Sequence, residues 1–227
     1  MIKAVLWDVD DTLFDFTGSD RTGLLRHFAA EGLASDEAAL ERWRRIAEAE
    51  FARFSAGELT YHEQRRERVR RFLGRDLPDA EADAWFERYV ALFEAAWTAF
   101  PDAAPVLKAL PYRHGVLSNS SAVHQERRLT ALGLRHHFEI LLCSVELGFA
   151  KPDPKAFHAA CRAFGLPESA VVYVGDRLDI DALGARDAGL HGVWLDRNGS
   201  ADPVPDGVHR IGSLSELPGV LERLSRG

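Results

Sequence analysis

A parallel α/β fold carrying an extra helical block is predicted by three observations. Short apolar, β-branched runs recur at residues 2–7, 115–118, 138–143, 171–174 and 192–195. Helical patterns such as 123–132 and 154–164 separate the later runs, with Gly133, Gly165 and Gly189 at turns. Strand alternating with helix implies a parallel sheet covered by helices on both faces. Between about residue 16 and residue 98 the alternation stops, and four helical segments follow one another. At 227 residues, 46% hydrophobic and 28% charged, the chain has room for a domain with such an insertion.

The run 2–7 is a strand that ends on the acids of "DVDD", and sites in parallel sheets lie at the carboxyl ends of strands. The first helical segment spans 20–31. The second starts at Ser35, with Asp36 and Glu37 in its first turn, where carboxylates meet the positive end of the helix dipole. Thr60 with Glu63 makes a capping box before the third, and Asp79 with Glu81 opens the fourth, which runs to about residue 99. Trp85, Phe86, Tyr89, Leu92, Phe93 and Ala96 recur at helical spacing and read as core. The basic run "RRERVRR" at 65–71 includes Glu67 and is expected to be a solvated helix face. The block leaves through "FPDAAP". Residues 16–98 are therefore expected to form a second small domain on a two-strand hinge, with 1–15 and 99–227 forming the sheet domain.

The 28 basic and 35 acidic residues give a net charge of −7, which argues against nucleic acid as a partner because phosphate-backbone binding needs a basic face. The apolar run before Asp8 is too short for a secretory leader or a membrane span. Cys143 and Cys161 lack metal-ligand spacing and are expected to be buried free thiols in a reduced cytoplasm. Lysine is scarce: only Lys3, Lys108, Lys151 and Lys155 occur.

Four elements carry chemistry-bearing residues. Asp8, Asp10 and Thr12 follow the first strand; acidic turns are common, but this one sits behind a buried run. "VGDRLDID" at 174–181 places Asp176, Asp179 and Asp181 at another strand end, more acids than capping the next helix requires. "GFAKPDP" fixes Lys151 before a proline that restrains its backbone, and supplies a compact point charge in an arginine-rich chain. "LSNSS" ends a further strand with Ser118 and Asn119. Carboxylates, a hydroxyl and amide pair, one ammonium and no histidine suit a hard cation with oxygen ligands, Mg²⁺ in particular, and a phosphoryl group. The carboxylates would otherwise repel one another at low dielectric.

These elements, in this order, resemble the haloacid dehalogenase (HAD) superfamily of phosphotransferases. "DVDDTL", "LSNS", "KPDP" and "VGDRLDIDALGARDAG" each match a family motif, and the helical block is similar to the family's cap. The likeness covers the whole chain. It implies a Rossmann-like core with an α-helical cap domain. It also implies a Mg²⁺-dependent phosphomonoester hydrolase acting on a small phosphorylated metabolite, a nucleotide or sugar phosphate, through an aspartyl-phosphate. By position Asp8 matches the nucleophile and Asp10 the general acid/base. Both join Asp176 as metal positions, Asp10 through its carbonyl. Thr12, Ser118 and Asn119 match the phosphate-holding positions, Lys151 the charge-balancing lysine, and Asp181 the outer acid that orients water or lysine. Attack by a carboxylate splits one hard hydrolysis into two easier steps. The chain departs from the commonest pattern at Asp11, where Gly is frequent, and at Arg177, where Ser or Asn is. Arg177 is placed either to reach substrate or to pair with Asp179.

Dehalogenases of the family lack an acid at the Asp10 position, because halide leaves without a proton. Phosphonate-cleaving members need a cap lysine, and residues 16–98 contain none. A phosphosugar mutase remains an alternative, as does a non-hydrolytic phosphoacceptor or binding module, although the latter needs neither the insertion nor "GDRLDID". The cap is expected to close over the core, exclude water and select the leaving group. Tyr61, His62 and Arg65 in "AGELTYHEQRR" are its candidate contacts. The expected partners are a small phosphorylated metabolite, no nucleic acid and no membrane, with the chain a monomer or homodimer.

Overall fold

In the computed structural model, which describes residues 1–201 and 203–226, the chain divides into two compact units. One is Met1–Asp15 with the chain from Thr98 onward, and the other is Phe16–Trp97. The first unit is built on strands β1 (Ala4–Trp7), β2 (Arg113–Ser118), β3 (Ile140–Cys143), β4 (Val171–Gly175), β5 (His191–Leu195) and β6 (Val208–Ile211). All pair in parallel, in the order β3-β2-β1-β4-β5-β6. The expected Rossmann-like core is present. Near the exit to the second unit, Asp15 N donates to Thr98 O at 3.0 Å, and Phe14 bridges Ala99.

The second unit consists of α1 (Phe16–Ala30), α2 (Glu37–Ser55), α3 (Tyr61–Leu73) and α4 (Asp79–Glu94). Its core is aromatic: Phe28 stacks on Phe72 at 4.7 Å, Trp43 meets Phe72 edge-on at 5.3 Å, and Trp85 meets the His27 ring at 4.2 Å. Gly23 lets α1 approach α4, since a Cβ there would lie 2.6 Å from Phe93 Cα. The Thr60–Glu63 capping box forms as expected. Four expectations need correction. Asp36 rather than Ser35 caps α2, accepting from Ala39 N at 2.9 Å. Helix α1 begins at Phe16, ahead of Asp20, and α4 ends at Glu94, short of residue 99.

The fourth correction concerns 65–71, which is not a solvated face. Arg66 takes Asp83 with two hydrogen bonds and also holds Asp79, Arg70 holds Glu67 and Asp79, and Arg71 reaches Glu50. Partly exposed pairs of this kind contribute about 0–1 kcal/mol each. Glu50 is different: it is fully buried, and Arg53 and Arg71 both pair with it. Stranding such a charge costs about 3–5 kcal/mol, so the run ties α3 to its neighbours.

The core helices are α5 (Ala103–Ala109), α6 (Ala122–Ala131), α7 (Ser144–Leu147), α8 (Pro154–Phe164), α9 (Leu183–Asp187) and α10 (Leu217–Arg226). Pro154 at the first turn and Asp153 as cap start α8, and Gly165 in the left-handed region ends it. Ala156, Phe157, Ala160 and Phe164 of α8 pack in one cluster with Ala4, Leu6 and Tyr173 of the sheet. Val5 and Trp7 alternate with those residues, point to the other face and are equally buried. Burial on both faces explains the unbroken apolar run of β1. Edge strand β6 was not anticipated: only its end residues, Val208 and Ile211, are buried, so it lacks both the continuous and the alternating pattern.

Burial holds the His27 pKa down at about 4 against the opposing pull of Glu31. The folded unit therefore refuses a proton that the unfolded chain accepts below its ordinary value of 6.5. Stability from this group is full above pH 6.5 and is lost as pH falls towards 4, by at most about 3 kcal/mol. Thermal unfolding across that window should fall more steeply for the wild type than for His27→Phe. Parallel curves would contradict this account.

Candidate active site

Strand order reverses between β1 and β4, and in such sheets a crevice opens outside the carboxyl ends of the strands at that point. A cleft of about 260 Å³ lies there, lined among others by Asp8, Asp10, Ser118, Lys151, Asp176 and Asp181. The loop after β1 is a tight turn: Leu13 and Phe14 N–H groups both donate to Val9 O at 2.9 Å, and Asp11 N donates to Phe14 O at 2.7 Å. Asp11 has φ +58°, the left-handed region that suits Gly and that Asp tolerates better than most residues. The turn brings Thr12 Oγ1 to Asp8 Oδ2, a donation of 3.3 Å. Arg197 braces it from outside by donating to Thr12 O at 3.0 Å while forking onto Asp102 with two bonds of 2.9 Å.

Lys151 is the centre of the cleft. Its ammonium donates to Asp8 Oδ1 and Asp181 Oδ1, each at 2.7 Å, and to the Tyr173 hydroxyl, which passes its own proton to Leu117 O. All three donors are thus committed. The backbone of Lys151 is clamped by the Asn119 amide: Nδ2 donates to Lys151 O, and Oδ1 accepts from Lys151 N, both at 2.8 Å. The side chain of Asn119, matched by resemblance to phosphate, is therefore spent on placing Lys151.

Asp176 directly follows β4, and a single π turn (Leu178–Ala182) comes next. The turn lets Asp181 reach back, where Oδ2 accepts from Arg177 N at 3.0 Å. Gly175 is required by this return, since a Cβ there would lie 2.3 Å from Asp181 Oδ2. Arg177 pairs with Asp179 at 3.3 Å on the surface. Asp10 stands apart from the lysine cluster: its carboxylate accepts from Gln125 Nε2 at 2.9 Å and from Arg128 Nη1. Gln125 Nε2 also donates to Ser118 Oγ at 3.0 Å. Sequence reasoning missed Tyr173, Gln125, Arg128 and Arg197. Only Gln125 carried a signal, as a polar residue one turn before Leu129 on the buried stripe of α6.

Electrostatics defines what the cleft lacks. Burial raises the Asp8 pKa despite Lys151, and burial followed by the charges of Asp181 and Asp11 pushes Asp176 up to about 7. Burial alone would pull Lys151 down, but Asp8 and Asp181 more than reverse this and keep it charged. Asp8, Asp176 and Asp181 offer oxygens within 4.8 Å of one another. Three carboxylates face one ammonium, and among the described residues no cation pairs with Asp176. An all-oxygen donor set with this excess of negative charge fits a hard divalent cation. Cys143 and Cys161 are free and buried, and burial pushes their thiols up to about 12 and about 11, where they are inert.

The chain matches the family model of the haloacid dehalogenase-like hydrolases over residues 2–189. It is 32% identical over 213 residues to a glyceraldehyde 3-phosphate phosphatase of Methanopyrus kandleri, covering 90% of this chain and 88% of the relative. It is 29% identical over 223 residues to a pyrimidine 5'-nucleotidase of Escherichia coli, covering 96% of each. Among solved structures it resembles a 2-haloacid dehalogenase of Pseudomonas syringae, with TM-score 0.68, 30% identity and coverage of 98% and 99%.

Gly175→Ala should destabilise the protein by about 1–3 kcal/mol, because the methyl group and the Asp181 carboxylate cannot share one space. Urea unfolding measures this, and an unchanged midpoint would mean that Asp181 can leave Lys151 at no cost.

Proposed function

The chain belongs to the haloacid dehalogenase-like hydrolases, and from that premise we propose that it is a Mg²⁺-dependent phosphomonoesterase working through an aspartyl-phosphate. The observation that carries the reading is Asp8, held on one oxygen by Lys151 and on the other by Thr12 at the floor of a cleft with carboxylates to spare. In this reading Asp8 attacks phosphorus, an Asp8–phosphorus bond forms as the ester bond breaks, and Asp10 gives its proton to the departing oxygen. A water then attacks the same phosphorus, Asp10 takes a proton from it, and Asp8 and orthophosphate are released. Ser118, the backbone at Asn119 and the Thr12 hydroxyl, once it turns from Asp8 to the substrate, hold the phosphoryl oxygens, and Lys151 aims Asp8 and, with the cation that would be bound there, favours its ionised form. Asp8, Asp176 and the carbonyl of Asp10 would hold Mg²⁺, with Asp181 outside them. When bound, the ion neutralises charge on the phosphoryl oxygens and on Asp8.

Glyceraldehyde 3-phosphate and pyrimidine nucleotides, the substrates that name two relatives, are both small phosphorylated metabolites, the class we assign to this chain. The likeness to a dehalogenase concerns a reaction whose leaving group needs no proton, whereas here burial raises the pKa of Asp10 against the pull of Arg128 and Gln125, as an acid that must carry a proton requires. Substrate selection we assign to the helical unit. His62 and Arg65 line a cavity of about 330 Å³ within it, and the Arg65 guanidinium lies 5.5 Å from the Tyr61 ring centroid. Two inert, unpaired thiols suit the cytoplasm. No helix among the described residues is long and apolar enough to cross a membrane.

The purified chain should release phosphate from p-nitrophenyl phosphate with Mg²⁺, stop on chelation and recover on Mg²⁺ addition. Asp8→Asn should fall to background, and Asp10→Asn should lose on the order of 10²–10⁴ in kcat, because it cannot take the proton of the attacking water. An inactive wild type, or a fully active Asp8→Asn, would overturn the reading.

A further inference from the structure

Helix α6 carries two polar side chains into the interior, and both end on groups of the cleft. Gln125 is fully buried and Arg128 nearly so. The guanidinium of Arg128 lies 4.5 Å from the Phe14 ring centroid and donates from Nη1 to Asp10 Oδ1 and, at 3.3 Å, to Gln125 Oε1.

That last contact fixes the Gln125 amide. Arginine has no acceptor, so the amide oxygen must face it and the amide nitrogen must face away. The nitrogen then spends its two protons on Asp10 Oδ2 at 2.9 Å and Ser118 Oγ at 3.0 Å. A flipped amide would set its oxygen against a carboxylate and its N–H groups against a guanidinium. The consequence for Ser118 is directional. Its oxygen already receives a proton from Gln125, so its own single proton is left for another acceptor, and Ser118 lines the cleft. The consequence for Asp10 is positional, because each carboxylate oxygen is held by a different residue of one helix face.

We propose that Gln125 and Arg128 are positioning residues: Arg128 orients the amide of Gln125, and together they aim the Ser118 hydroxyl at a phosphoryl oxygen and hold the Asp10 carboxyl for proton transfer. The proposal rests on the reading of Asp10 as proton carrier and of Ser118 as phosphate holder. It extends the motif residues to a second layer supplied by α6, three residues apart on one helical face.

Two esters of similar shape separate positioning from mere stability. Benzyl phosphate releases an alkoxide that needs a proton, whereas p-nitrophenyl phosphate releases a phenolate that leaves without one. The value of kcat/KM reports only steps up to the first departure of the leaving group. Arg128→Met should lower kcat/KM for benzyl phosphate by about 10²-fold and for p-nitrophenyl phosphate by less than about fivefold. Arg128→Lys, which keeps a cation, should recover part of the benzyl phosphate loss. Gln125→Met, close to isosteric, should also weaken competitive inhibition by inorganic phosphate about tenfold, as one oriented hydrogen-bond donor is lost. Should Arg128→Met fail to fold in a thermal scan, the Arg128→Lys and Gln125→Met pair carries the same comparison. Equal losses on both esters in the folded variants, or no loss on either, would overturn the inference while leaving the phosphatase reading intact. An inactive wild type would overturn both.

Discussion

One buried ammonium organises the catalytic half of this molecule. Lys151 is 4% exposed, and its three protons go to three different elements: Asp8 after β1, Tyr173 within β4 and Asp181 in the π turn. Removing such a charge from water costs several kcal/mol, which only close and well-directed partners can offset. Much of the local architecture follows from that need. Asn119 grips the peptide of Lys151 from the end of β2, Gly175 has no side chain because Asp181 occupies the space, and Gly192 has none because the carbonyl of Ala182 in the π turn would lie 2.1 Å from a Cβ. The lysine thus ties together β1, β2 and β4, the three adjacent strands whose carboxyl ends meet at the crevice.

The ammonium is nevertheless too little charge for the carboxylates around it. Asp8 and Asp181 share it, and Asp176 gains almost nothing from it; burial accordingly drives Asp176 towards its neutral form. A site assembled only for stability would pair this acid or lose it, since exchanging a buried ionic cluster for apolar residues is often neutral or stabilising. On the proposed function, an unbalanced cluster at a strand-order reversal is half of an interaction completed by a cation and a phosphoryl group.

What could be read in advance divides along physical lines. The inner strands β1 and β4 were legible because burial on both faces forces continuous apolar runs, and the acids were legible because their crowding behind those runs is costly and calls for a reason. Edge strand β6 left no such trace. Nor did the residues that aim the motifs: Arg197 meets Thr12 across 185 positions and Arg128 meets Asp10 across 118, separations at which no periodicity informs. The arginine run on α3 was misread for the same reason, because its partners Glu50, Asp79 and Asp83 lie on other helices. Asn119 was placed correctly at a strand end, yet its amide serves a lysine 32 residues away, a use that only the folded chain reveals.

The two acids of "DVD" sit two residues apart and share almost no partners. Asp8 lies on the lysine side with Thr12 against its second oxygen, while Asp10 lies on the α6 side with Gln125 and Arg128. The strand end and the tight turn behind it set the pair on opposite sides, and the left-handed Asp11 helps the chain to make that turn. In the proposed mechanism this separation matters chemically. A nucleophile must stay ionised and aimed at phosphorus, whereas a proton carrier must change its protonation twice in each cycle, so the two cannot depend on one partner without disturbing each other. Independent partner sets allow neighbouring carboxylates of one loop to take different roles, and the crowding of acids after the first strand becomes a division of labour between two environments.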